Sequence, residues 1–268
     1  LSPSLRPSLP RDLVEQFRRR LQRTEQGYAP TDAQALIEWV AERAAIPISE
    51  WRELVAAVER DKTADPEPQT GTETGPETRP QPEAEAESEP SEPGADSGPA
   101  LILEEAAMRL VALSPPGGHS SIVCSAEEAP RIARAWGASL EEVRAGSVTG
   151  GDASEILHRA AATEPSDRAG ETREQAMEAL LSTWLRYEPP VSPDACAEAL
   201  GLDPAGARAA LSDLVASEVL ADEVTVGDDA TPLVCDLENL EWLLRRLRRS
   251  RRPEVEPKPV SLLVPFLA

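Results

Sequence analysis

Apolar residues recur at helical spacing in "RDLVEQFRRRLQR", where Leu13, Val14, Phe17 and Leu21 fall on one arc and Arg18, Arg19 and Arg23 fall off it. This predicts an amphipathic helix with a basic back. Thr31 with Gln34 makes a capping box ahead of Leu36, Ile37, Trp39 and Val40, and Pro30 stops the preceding segment, so "GYAPT" reads as a turn between helices. Ser49 is placed to cap a third helix burying Trp51, Leu54, Val55 and Val58. Residues 1–62 are therefore expected to form a three-helix module.

The pattern lapses from Thr63 to Ala100, a Pro/Glu/Thr/Ser run without the apolar residues that would offset ordering entropy. A disordered acidic linker is expected over 63–100. Two short apolar runs then flank a Pro-Gly turn, predicting a hairpin of Met108 to Leu113 with Ser121 to Cys124. Ser125 with Glu128 should cap a helix through Trp136, and Ser139 with Glu142 another. Residues Gly146 to Gly170 carry little pattern and read as mostly loop, so 101–170 is expected to be a small α+β segment.

Periodicity returns in "REQAMEALLSTWLRYE", with Met177, Leu180, Leu181, Trp184 and Leu185 on one stripe. After "EPPVSP", Ser192 and Pro193 start a short helix that Gly201 closes, and Asp203 with Pro204 starts another carrying Leu211, Leu214 and Val215. A hairpin around Gly227-Asp228-Asp229 follows. This order predicts a winged helix over 171–252, ending in the basic helix "DLENLEWLLRRLRRSRR". The expected fold class is mainly α and multi-module, with residues 253–268 an extended tail.

Charge changes this picture in one respect. The formal net charge is −21, which disfavours nucleic-acid binding by the chain as a whole, but the 63–100 run holds ten acids against Arg79 and so supplies nine of those charges. Cys124, Cys196 and Cys235 are far apart and form no CxxC pair, and His119 and His158 have no nucleophilic partner at motif spacing. Neither a zinc site nor an acid–base site is expected. No apolar run reaches the roughly 20 residues of a membrane span, so a cytoplasmic protein with no membrane partner is expected. The chain starts at Leu1 and stops on "SLLVPFLA", which reads as a piece of a longer protein.

The residues Arg23, Thr24, Gly27 to Pro30, Trp39, Val40, Glu42, Arg43, Ile46, Pro47, Glu50 and Trp51 together resemble the region after the motor core in the large helicase-related (Lhr) family of bacterial superfamily 2 DNA helicases. The stretches "WLRYEPPVSPDACAEALGLDPAGARAALSDLVASEVL" and "ENLEWLLRRLRRSRRPEVEPKPVSLLVPFLA" are similar to a winged-helix module and basic helix of that C-terminal region. The resemblance implies an accessory segment of a DNA-repair helicase, with the DEAD/DEAH motor domains in cis as partners. It implies ATP and Mg for those missing domains. The chain itself has no GxxxxGK[ST] loop and no Asp-Glu box, and "SPPGGHS" lacks the phosphate-reaching lysine, so no cofactor is expected in this segment.

Candidate binding chemistry then falls on two helices. The third helix of the winged-helix pattern offers only Arg208, opposed by Asp213, which is poor equipment for reading bases. In the basic helix, Leu237, Leu240, Leu243, Leu244 and Leu247 make an apolar stripe, and Arg245, Arg246, Arg249 and Arg252 project away with Trp242 among them. Trp242 either stacks on a base of single-stranded or partly unwound DNA while the arginines hold phosphates, or it packs on an adjacent module. The alternative function is a protein-interaction scaffold with no nucleic-acid contact.

Overall fold

The computed structural model describes residues 7–63, 98–118, 120–162, 168 and 170–252. Most of the acidic run, the tail 253–268 and His119 lie outside the described residues. The run's two ends do not: Thr63 closes one helix, and Pro99 opens the next as its first residue.

The chain begins with α1 (Arg11–Leu21), α2 (Ala33–Arg43), β1 (Ile46–Pro47) and α3 (Ile48–Thr63). The cap of α2 is Asp32 rather than Thr31: its carboxylate accepts from the Ala35 N–H at 2.8 Å, because it lies one residue nearer the helix. The "RTEQGYAPTD" turn is held from both sides. Gly27, at φ +80°, donates its N–H to Asp61 at 2.7 Å, and the Arg23 guanidinium lies 4.2 Å from the Trp39 ring centroid.

Next come α4 (Pro99–Ala106), β2 (Leu110–Ser114), β3 (Ile122–Ser125), α5 (Ala129–Ala135), β4 (Arg144–Ser147) and α6 (Ser154–Ala162). The expected hairpin is present, within an antiparallel four-stranded sheet of order β1-β3-β2-β4. Three expectations need correction. Ser125 does not cap α5, which starts after Glu128 with no side-chain cap, and its backbone carbonyl accepts from the Glu128 N–H at 3.1 Å instead. The Ser139–Glu142 pair bonds as foreseen, Glu142 accepting from the Ser139 N–H at 2.7 Å, yet it closes a single turn that leads into β4 instead of a helix. The stretch read as loop contains α6, which has only Leu157 and Ala160 fully turned inward, too few apolar positions to show a period.

The remainder is α7 (Arg173–Leu185), α8 (Pro193–Leu200), α9 (Pro204–Ala216), β5 (Leu220–Val226), β6 (Asp229–Asp236) and α10 (Leu237–Ser250). Helices outweigh strands, and the strands form two small antiparallel sheets. Here the local signals hold: Ser192 and Asp203 cap α8 and α9, and Gly201 ends α8 in the left-handed region at φ +64°.

One order of elements occurs twice. In α2-β1-α3-α4-β2-β3 the short strand β1 pairs antiparallel with β3, the second strand of the hairpin. In α7-α8-α9-β5-β6 the residue between the first two helices, Val191, bridges antiparallel to Val234 on β6, again the second hairpin strand. The acidic run is inserted between the second and third helices of the first unit.

Packing does not follow the boundaries expected from the sequence. The sheet is a wall between two cores: Leu110 and Val123 face the cluster of α2, α3 and α4, whereas Val111, Leu113, Ile122 and Cys124 face the cluster of α5 to α9. Alternation of side chains across a strand does this, and it explains why both strands read as unbroken apolar runs. The 1–62 module does not close on itself either. The stripe of α1 turns away from α2 and α3, and Phe17 joins Leu240, Leu243, Leu244 and Leu247 of α10 in a third cluster.

Candidate nucleic-acid interface

Asp236 starts α10 by accepting from the N–H groups of Glu238 and Asn239 at 2.9 and 3.1 Å. The Asn239 amide then donates to the carbonyls of Arg186 and Glu188 at 2.9 and 3.2 Å, fixing the helix to the end of α7. With Leu240, Leu243, Leu244 and Leu247 buried, the arginines of "RRLRRSRR" are left outside, Arg246 half-buried and the other five exposed. Leu237, expected on the buried stripe, is 38% exposed because it precedes the first full turn against the core.

Trp242 is 36% exposed and stacks on Phe17, with ring centroids 4.8 Å apart and planes 29° from parallel. The guanidinium of Arg246 lies 5.3 Å from the indole centroid. Arg245 pairs with Glu241 at 2.6 Å along the helix, and both side chains are well exposed. Among the described residues, Arg246, Arg248, Arg249, Arg251 and Arg252 have no carboxylate partner. They cluster at a helix C-terminus, whose dipole favours cations. Arg208 stands apart on α9, held 2.6 Å from Asp194 of α8 rather than opposed by Asp213. The structure thus brings Trp242, Arg245, Arg246, Arg249 and Arg252 to one helix end and leaves Arg208 elsewhere.

A second polar cluster is buried where the two repeated units meet. Arg43, fully buried on α2, is clasped by Glu50 of α3, and its Nη2 donates to Glu188 Oε1 at 2.5 Å. Gln22, at the end of α1, donates to the other Glu188 oxygen at 3.0 Å. Two carboxyl groups share one guanidinium out of water, and the charges balance when one of the two carries a proton. Burial, and then the facing Glu50, push the Glu188 carboxyl from 4.5 up to about 8, while Arg43 pulls it the other way. Above the cluster opens a cleft of about 480 Å³, walled by Arg18, Glu53, Trp184 and Glu198.

The three cysteines are all buried, and burial pushes the Cys196 thiol up to about 12. His158 is exposed on α6. Among the described residues no helix is long and apolar enough to cross a membrane. Compared with family models, curated proteins and solved structures, the chain finds no match.

Sequence reasoning missed Phe17, Arg248 and Arg251 at the basic helix end and the whole Arg43 cluster. The "RRLRRSRR" run was signal enough for the arginines. The partnership of Phe17 with Trp242, and of Glu188 with Gln22 and Arg43, depends on contacts across 145 or more positions that no local period encodes.

Proposed function

We propose that this chain is an accessory segment of an Lhr-type ATP-dependent DNA helicase acting in DNA repair. Its work is to grip DNA beside ATP- and Mg-using motor domains in cis, in the cytoplasm. Residues 171–252 are a winged helix in this reading, supported by the order of three helices and a hairpin with Val191 bridging the hairpin's second strand. The observation that carries the reading is the run of six arginines closing α10 in a chain of net charge −21, five of them exposed and all but Arg245 free of carboxylate partners among the described residues.

A protein-interaction scaffold is the second reading. It is favoured by the Phe17–Trp242 stack and by the Arg208–Asp194 pair, which engage two candidate DNA contacts with the protein's own side chains.

Fluorescence polarisation with a labelled oligothymidine separates the two. Binding should appear at low salt, and log K should fall with log[salt] at a slope of about −0.7 per phosphate neutralised. Absence of binding at low salt would leave the scaffold.

A further inference from the structure

The first turn of α1 and the last turns of α10 enclose a groove of about 330 Å³ lined by Pro10, Asp12, Leu13, Gln16, Arg246 and Arg249. Arg246 and Arg249 are three residues apart and so stand as neighbours on one helix face, at roughly 5–6 Å between Cβ atoms. Gln16 faces them with an amide that can donate, and Pro10 with Leu13 offers an apolar wall. Asp12 is the one carboxylate lining the groove among the described residues.

Trp242 is differently placed from a base-stacking platform. Phe17 takes one face of the indole, and the Arg246 guanidinium lies over the same ring. The aromatic pair acts as a prop that locks α1 against α10 and aims Arg246. We infer that the α1–α10 groove is a phosphodiester subsite that holds a nucleic-acid strand by its backbone, without stacking on its bases. This rests on the DNA-gripping reading and specifies its chemistry: two guanidiniums and an amide for the phosphate, an aliphatic wall for the sugar, and no selection among bases.

The test uses the full chain and a fluorescent single strand, compared with an abasic strand of equal length. Backbone binding predicts affinities within about twofold of each other. Stacking on Trp242 would make the abasic strand weaker by about 5- to 150-fold and overturn the inference. Gln16→Glu puts an anion in the groove and should weaken binding about 3- to 10-fold at low salt, whereas Asp12→Asn should strengthen it. Ser212→Glu makes the same charge change on the exposed side of α9 and should alter affinity less than twofold. If Gln16→Glu and Ser212→Glu have equal effects, net charge alone is at work and the groove is not the site. If the wild-type chain binds no strand at all, the DNA-gripping reading itself fails. Capture of anionic phospholipid vesicles with the same Gln16→Glu sensitivity, in place of the strand, would assign the phosphate to a lipid headgroup and overturn the proposal.

Discussion

The two units that share one order of helices and strands differ in what surrounds them. In the first, β4 covers the outer edge of the hairpin at β2, and apolar side chains back both faces of the sheet. In the second, the hairpin is bulged, among the described residues its outer strand meets only the Leu9 bridge at Val226, and α10 closes it with an arginine-rich end in solvent. Both units manage the exposed strand edge that a hairpin leaves, one with a strand and one with a single residue. The first unit is therefore walled in, and the second keeps a free surface on which binding chemistry can sit.

That contrast can be broken most directly at Trp184, which is 2% exposed where α7 meets its neighbours. Trp184→Ala should cost roughly 3–5 kcal/mol in chemical denaturation. One cluster joins Leu113 and Ile122 of the first hairpin to Leu180 and Leu211 of the second unit, so the loss should fall on a single transition seen alike by far-UV and near-UV signals. Two separated transitions, with only one moved, would show that the units are independent and the shared cluster inconsequential.

Next in size is the buried cluster between the units. Arg43→Met removes the guanidinium that Glu50 and Glu188 share and leaves the Glu50 carboxylate buried without it, which should cost about 3 kcal/mol or more. A loss below about 1 kcal/mol would mean that water reaches these groups and that the units meet loosely.

The local signals of the second unit were legible because each is self-contained: Ser192 before Pro193, Asp203 before Pro204, and Gly201 just past Leu200 all act within four residues. The α7 stripe was legible for the same reason, since Met177, Leu180, Leu181 and Trp184 share one helix and one core. The first unit hid more. Its helices are split by the acidic run, its strands serve two cores and so show no alternation, and α1 packs on a helix more than 200 positions away. The basic helix end was visible as composition. Its α1 wall was not, because Phe17 looks the same on a stripe whichever partner it meets.

The Glu188 carboxyl allows a gentler perturbation of the same junction. Its folded-state value, about 8, stands above the 4.5 of an ordinary glutamic acid, so the folded state holds a proton that the unfolded chain releases. Its contribution is fully present below about pH 4.5 and is lost as pH rises towards 8. Thermal denaturation should show stability declining across that window, and Glu188→Gln should flatten the decline. Retention of the full slope in the variant would move the titration to another group.

The smallest expected effect compares one cap in each unit. Ser192 starts α8 with an extended backbone, and its hydroxyl accepts from the Ala195 N–H at 3.2 Å, so one of the helix's orphan donors is satisfied. Ser49 looked equivalent in the sequence, but α3 begins at Ile48, whose N–H donates to the Ser121 carbonyl at 2.9 Å. The strand pairing of Ile46 and Pro47 thus fixes the start of that helix, and the Ser49 hydroxyl has no cap to make. Ser192→Ala should therefore cost about 1 kcal/mol, and Ser49→Ala should stay within about 0.5 kcal/mol of wild type. Equal losses at the two serines would mean that α3 is capped by its own residues after all, and that the pairing of β1 with β3 does not set where it starts.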